Sequence, residues 1–362
     1  MKLLLVGGFL GSGKTTAIRQ AARYLQTRNK KVGVVTNDQG ALQVDTEYMI
    51  AQNIPTVEVA DGCFCCHYDD LEDRIESLLQ SEQPDFLFAE PVGSCVDLAA
   101  TIVNPLLTLN PGRFEIVLSV FADSRLLIKF LQEGRSIFYD NVNYIYANQL
   151  READLIVVNK IDLLTGAQLE WAKQRIDAEY RGKTILFQNS LSEESVGRWL
   201  AACDEYKDAS LRQALNIDYD IYGAGEAELA WLDEEIGIVS PKGNAIGTAY
   251  DLMRKLYDSI VDNGYPVGHL KFLLDDGHEQ KKVSFTAIPT PEEEHPAGEE
   301  ADKVVVMVNA RIQVAPAILQ LLVRQTILEV EGRTGCRITE YNTSAFQPGY
   351  PRPTHRITQG RS

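Results

Sequence analysis

The chain has 362 residues, 45% hydrophobic and 24% charged, with a formal net charge of -16. Such a composition describes a folded globular protein with room for two domains, not a disordered or fibrous one. The acidic balance excludes nucleic acid and anionic membrane surfaces as partners, since both need clustered Lys and Arg. It leaves open a local nucleotide site built from backbone N–H groups. The apolar start "MKLLLVGG" is broken by glycines and lacks a small-residue cleavage site, which rejects a signal peptide. No apolar run reaches the length of a transmembrane helix.

In chain order, residues 2–8 read as a buried strand and 14–30 as a helix rich in good helix formers. Residues 31–38 and 56–62 read as strands, and 69–81 as a helix opened by aspartate. Further strands are expected at 85–93, 114–123, 155–162 and 184–190, with helical segments between several of them. That alternation predicts an α/β fold, a parallel sheet with helices on both faces. After about residue 215 the pattern changes. Residues 227–238, 269–276, 281–288, 303–314 and 337–346 read as strands and 244–264 and 316–335 as helices. Strands in succession without helices between them predict a smaller α+β domain. The expected division is 1–215 and 216–362, with 290–302 an acidic, Pro-containing solvated loop.

The chemistry starts at "GFLGSGKT", Gly8 to Thr15, which satisfies G-x-x-x-x-G-K-[ST] between a predicted strand and a predicted helix. In a P-loop of this kind Gly8, Gly11, Ser12 and Gly13 let backbone N–H groups wrap phosphates at a helix N-terminus. Lys14 reaches the terminal phosphates and Thr15, followed by Thr16, ligates Mg²⁺. Asn159, Lys160 and Asp162 form N-K-x-D at the end of an apolar strand. A carboxylate there accepts from guanine N1–H and N2, a pattern adenine lacks, so GTP is favoured over ATP. Glu90 and Gly93 form E-x-x-G at another strand end, where P-loop enzymes place the group that senses the γ-phosphate and Mg²⁺. Asp38, in "TNDQG", is a candidate switch-region carboxylate and metal ligand.

"ADGCFCCHYDD" (60–70) puts Cys63, Cys65 and Cys66 within four positions. Cys63 and Cys65 project to one side of an extended chain, and a turn is needed to bring Cys66 to them. Three thiolates make a soft donor set suited to Zn²⁺ or Cu⁺. Three protein ligands also leave a position open, which suits a metal that must react or leave. The fourth place falls to His67, Asp38, water or a partner's group, with Cys95 near enough in sequence order to approach from a neighbouring strand. Cys203 and Cys336 read as buried thiols. Clustered reduced cysteines point to the cytoplasm.

With "GFLGSGKTT", "GCFCC", "EPVG" and "QLREADLIVVNKIDLL" in order, the chain resembles the CobW-like P-loop GTPases, relatives of the nickel-insertion GTPases for hydrogenase and urease. The resemblance implies a GTP-hydrolysing metallochaperone. Its cysteines would hold zinc or another transition metal, with GTP/GDP and Mg²⁺ at the P-loop. Its partners would be a client metalloenzyme and, as a second option, a GTP-dependent homodimer. The chain departs from the family's Asn-Glu-Phe-Gly at Asn37-Asp38-Gln39-Gly40, and has Ala41 where the family has an acidic residue. The alternative function is a GTPase chaperone for loading or protecting a corrinoid enzyme. A P-loop kinase with structural zinc and a thiol redox sensor are the other readings these motifs permit.

Overall fold

A computed structural model describes residues 1–37, 40, 44–60, 62–289 and 300–358. The chain forms two compact units, Met1–Gln39 with Gln52–Gly225 and Tyr350–Ser362, and Gly40–Ala51 with Glu226–Gly349. Two stretches thus cross the division expected from sequence: residues 40–51 go with the second unit and 350–362 with the first.

The first unit is a seven-stranded sheet. Its strands are β1 (Lys2–Gly8), β2 (Val32–Asn37), β3 (Thr56–Val59), β4 (Phe86–Glu90), β5 (Glu115–Asp123), β6 (Leu155–Asn159) and β7 (Thr184–Gln188). They lie in the order β3-β2-β4-β1-β5-β6-β7, every pairing parallel. β1 is buried at all of its positions, as a strand covered on both faces must be. Register then positions the site. Gly8 is opposite Phe121, Leu5 opposite Ala89, and Thr36 opposite Glu90. The carboxyl ends of β1, β2, β4 and β6 therefore gather along one edge, where open α/β sheets bind ligands.

The second unit is a five-stranded antiparallel sheet of β8 (Leu229–Val239), β9 (Val267–Asp275), β10 (Gln280–Thr286), β11 (Lys303–Gln313) and β12 (Arg337–Phe346), ordered β10-β9-β11-β8-β12. Helices Ala245–Asp262 and Pro316–Thr334 cover one face, burying Leu252, Leu256, Leu319 and Val323 against Leu232, Phe272 and Val306. Each such burial contributes about 1.5–3 kcal/mol, so this face carries the unit's stability. The opposite face is a polar seam. Asn309 Nδ2 and Trp231 Nε1 donate to Asp233 Oδ1 at 2.8 and 3.0 Å, and His269 bonds Asn309 at 2.8 Å. Helix Val44–Ala51 places Asp45 on that seam, 2.6 Å from Lys271 Nζ and in contact with Lys282. Burial alone would raise the Asp45 carboxyl, but the two ammonium groups hold it well below the usual carboxylate range.

One buried carboxyl sits instead on the apolar, helix-covered face. Burial, reinforced by neighbouring Glu340, pushes Glu234 up to about 8 from an ordinary 4.5; Thr343 Oγ1 donates to it at 3.3 Å, and Arg324 opposes the shift weakly. A carboxyl raised in the fold contributes stability that is complete below its unfolded value and is lost as pH rises through the folded one. The second unit is expected to lose on the order of 5 kcal/mol between pH 4.5 and 8 through this group, at about 1.4 kcal/mol per pH unit. Urea titrations at several pH values should show the slope, and Glu234→Gln should flatten it. A slope undiminished in that variant assigns the effect elsewhere.

Candidate nucleotide and metal site

The loop after β1 is built from positive-φ glycines, with Gly8 at 122°, Gly11 at 72° and Gly13 at 91°. It delivers Lys14 to the start of helix Lys14–Gln26. Lys14 is buried, its Nζ donating to Gly8 O at 2.8 Å and Phe9 O at 3.4 Å, with the Glu90 carboxylate 4.0 Å away. Thr15 Oγ1 donates to Glu90 Oε1 at 3.0 Å across 75 positions of sequence. Thr16 follows on the same first turn. Gly93 packs against Leu10 of the loop, and its carbonyl, with that of Cys95, accepts from Gln149 Nε2 at 3.0 and 2.9 Å.

The N-K-x-D motif comes to the same loop from β6. Asn159 Nδ2 donates to Ser12 O at 2.9 Å, while its Oδ1 accepts from the Ser190 amide and hydroxyl at 3.2 and 2.7 Å. Lys160, left-handed at φ 61°, donates to Gly11 O at 2.7 Å and pairs with Asp123 at 3.0 Å. Asp162 stands exposed on the short turn Ile161–Leu163. Burial alone would raise the Asp123 carboxyl, but Lys160 and Arg125 hold it below its ordinary value, so it clamps Lys160 as an anion. Asp123 is a residue the sequence reading passed over. Its signal was an Asp-Ser step after an apolar strand, where it also caps helix Ser124–Glu133.

The three cysteines converge on a turn. Cys66 and His67 amides both donate to Cys63 O at 3.0 Å, and the Sγ atoms stand 2.9 Å (Cys63–Cys65), 3.0 Å (Cys63–Cys66) and 3.8 Å (Cys65–Cys66) apart. Cys63 and Cys65 are buried and Cys66 is half-buried. His67 turns to Asp70, 3.2 Å away, at the start of helix Tyr68–Ser81. The loop hangs from the end of β2. Asn37 Nδ2 donates to Val59 O at 2.9 Å and Gly62 O at 2.5 Å, and its Oδ1 accepts from the Phe64 amide at 2.9 Å. Asp38 lies outside the described residues.

A family described as "CobW/HypB/UreG, nucleotide-binding domain" matches residues 2–201, more than half of the chain. The chain belongs to that family. It is 24% identical over 205 residues to the zinc chaperone CobW of Sinorhizobium sp, covering 51% of this chain and 57% of that protein. With the zinc chaperone YeiR of Escherichia coli K12 it shares 31% over 178 residues, 47% of this chain and 49% of that one. The chain therefore spans about half the length of the curated relatives it matches. Among solved structures, HypB from Helicobacter pylori in complex with nickel aligns at 18% identity and TM-score 0.42, over 59% of this chain and 91% of that one.

In this CobW/HypB/UreG member the donor set fits a soft cation. Tetrahedral zinc with Zn–S near 2.3 Å needs sulfur separations of about 3.8 Å. Cys65–Cys66 already has that separation, and the distances to Cys63 are shorter. Hydrogen bonds from Cys65, Cys66 and Cys95 pull the Cys63 thiol well below its ordinary value, while Cys65 is raised well above and Cys66 to about 11 by the same contact with Cys63. Binding of a metal to these thiols would displace their protons. Cys95 does approach, as a neighbour of Cys63; Cys203 and Cys336 are buried thiols. No described helix is long and apolar enough to cross a membrane.

Proposed function

We propose that this chain is a GTP-hydrolysing metallochaperone that carries a transition-metal ion, zinc first, on Cys63, Cys65 and Cys66 and passes it to a client metalloprotein. The observation that carries this reading is Asn37. Its side chain holds three points of the cysteine loop, at Val59, Gly62 and Phe64, while its neighbour Thr36 is in register with Glu90. Movement of the β2 end on nucleotide exchange is transmitted to the thiols through this one amide. Lys14 serves the terminal phosphates, Asp162 the guanine edge, and Gly93 the γ-phosphate. Thr15 and Glu90 offer the hard oxygen donors Mg²⁺ prefers, and the ion when bound neutralises phosphate charge. Hydrolysis by such a site is positional and electrostatic. The second unit supplies client docking, a GTP-dependent homodimer is the second assembly proposed, and the six free thiols suit the cytoplasm.

Zinc affinity of the reduced chain, measured by chelator competition with Mg²⁺ and either GDP or a non-hydrolysable GTP analogue, tests the reading. Nucleotide is expected to shift affinity about 5–150-fold, and zinc must shift nucleotide affinity by the same factor. Cys65→Ser should abolish the difference. Tight zinc indifferent to nucleotide would make the cysteines a structural site, and no zinc at all would favour the corrinoid chaperone.

A further inference from the structure

Residues 350–358, the last described stretch, belong to the first unit and lie across the cysteine turn. Their sequence is stiff. Pro351 and Pro353 forbid helix and sheet pairing and favour an extended chain. Pro351 and Pro353 have no N–H, so Arg352 is the lone backbone donor between them. That N–H points at Cys66 Sγ, 3.3 Å away.

The next contacts fix the turn itself. Thr354 donates its amide to Cys65 O at 2.8 Å and its hydroxyl to Cys66 O at 3.1 Å. His355 meets Tyr68, the first residue of the following helix, edge-on at 4.9 Å. Downstream, Arg356 Nε pairs with Asp97 at 2.6 Å, and Ile357 exchanges bonds at 2.8 Å with Ala100 O and Asn104 Nδ2. The tail is therefore anchored beyond the cysteines and directs the Arg352 amide and the Thr354 amide and hydroxyl at them.

Resting on the metal reading above, we infer that this C-terminal strap is the outer shell of the thiolate site: the Arg352 amide and Thr354 position Cys66 and Cys65 and set how tightly a soft divalent cation is held. Sulfur ligands are oriented by such donors, and losing one typically costs about 10–100-fold in metal affinity. Such a control adds to the nucleotide-driven one, because donors around three thiolates set the resting affinity from which release starts. Arg352 and Thr354 are positioning residues; neither contacts the metal.

The strap's chemistry allows a test that ordinary packing would not pass. Arg352 precedes Pro353 and is already confined to extended backbone, so Arg352→Pro removes the N–H at little conformational cost. Arg352→Ala removes the side chain and keeps the N–H. Zn²⁺ affinity and dissociation are measured on the reduced full-length chain by chelator competition and chase, with guanine-nucleotide affinity as a second readout. Arg352→Pro is expected to weaken zinc by about 10–100-fold and speed its release, with nucleotide affinity unchanged, while Arg352→Ala matches the parent. Thr354→Val should weaken zinc and Thr354→Ser should restore it. A parent that binds zinc with Arg352→Pro equal to it overturns the inference alone. Equal losses in Arg352→Ala and Arg352→Pro also overturn it, by moving the effect to the side chain. A parent that binds no zinc overturns the metal reading and the inference together.

Discussion

Lys14→Ala is expected to lower GTP hydrolysis on the order of 10²–10³-fold, the usual cost of losing one preorganised charge donor at a transition state. The ammonium is buried and already aimed, held by two carbonyls of its own loop at 2.8 and 3.4 Å. It therefore needs to trade those acceptors for phosphate oxygens without crossing solvent. The loss should appear in single-turnover hydrolysis at saturating GTP, separating chemistry from binding. Global stability should change little, because the loop keeps its Asn159–Ser12 and Lys160–Gly11 hydrogen bonds at 2.9 and 2.7 Å. Hydrolysis within two- or three-fold of the parent (roughly 0.5 kcal/mol) would remove Lys14 from the mechanism. Glu90→Gln makes the complementary case. It keeps an acceptor for Thr15 Oγ1 and removes the charge, so nucleotide binding should persist while hydrolysis slows.

Much of this architecture was legible because local pattern and global fold agree. The strand ends that carry Gly8, Glu90 and Asn159 are apolar runs closed by polar residues, and parallel register aligns their carboxyl ends. That register brings Thr15 to Glu90 and Asn159 to Ser12. What was hidden has physical reasons. Asn37 acts through a side-chain amide that bonds backbone groups, and backbone partners leave no residue-type signal. Helix Tyr219–Glu228 carries Gly223 and Gly225, which depress helical propensity, so only the strand after it was read. The strap 350–358 has neither period, since its order comes from hydrogen bonds to a turn almost 290 residues earlier in the chain. Helix Val44–Ala51 goes with the second unit through Asp45 and two lysines more than 220 residues away, a pairing no local window contains.

Gly8→Ala is expected to destabilise the first unit by about 3–5 kcal/mol and to abolish nucleotide binding. A Cβ at position 8 would stand 2.1 Å from Phe121 O and 2.7 Å from Phe121 N, both backbone atoms of β5 that cannot rotate away. The residue also has φ 122°, a conformation that L side chains rarely adopt. Strain and clash act together, so relief requires β1 to slide against β5 or the loop to leave its path. Sliding is blocked by seven consecutive register pairs from Lys2–Glu115 to Gly8–Phe121. The loop must then yield, and with it the carbonyls of Gly8 and Phe9 that hold Lys14. Binding should therefore fail even at temperatures where the sheet stays folded. Urea unfolding and guanine-nucleotide titration on one sample separate the two effects. A midpoint and an affinity both equal to the parent's would mean that the β1 end is free to rearrange, and that the close approach to Phe121 is not what shapes the phosphate loop.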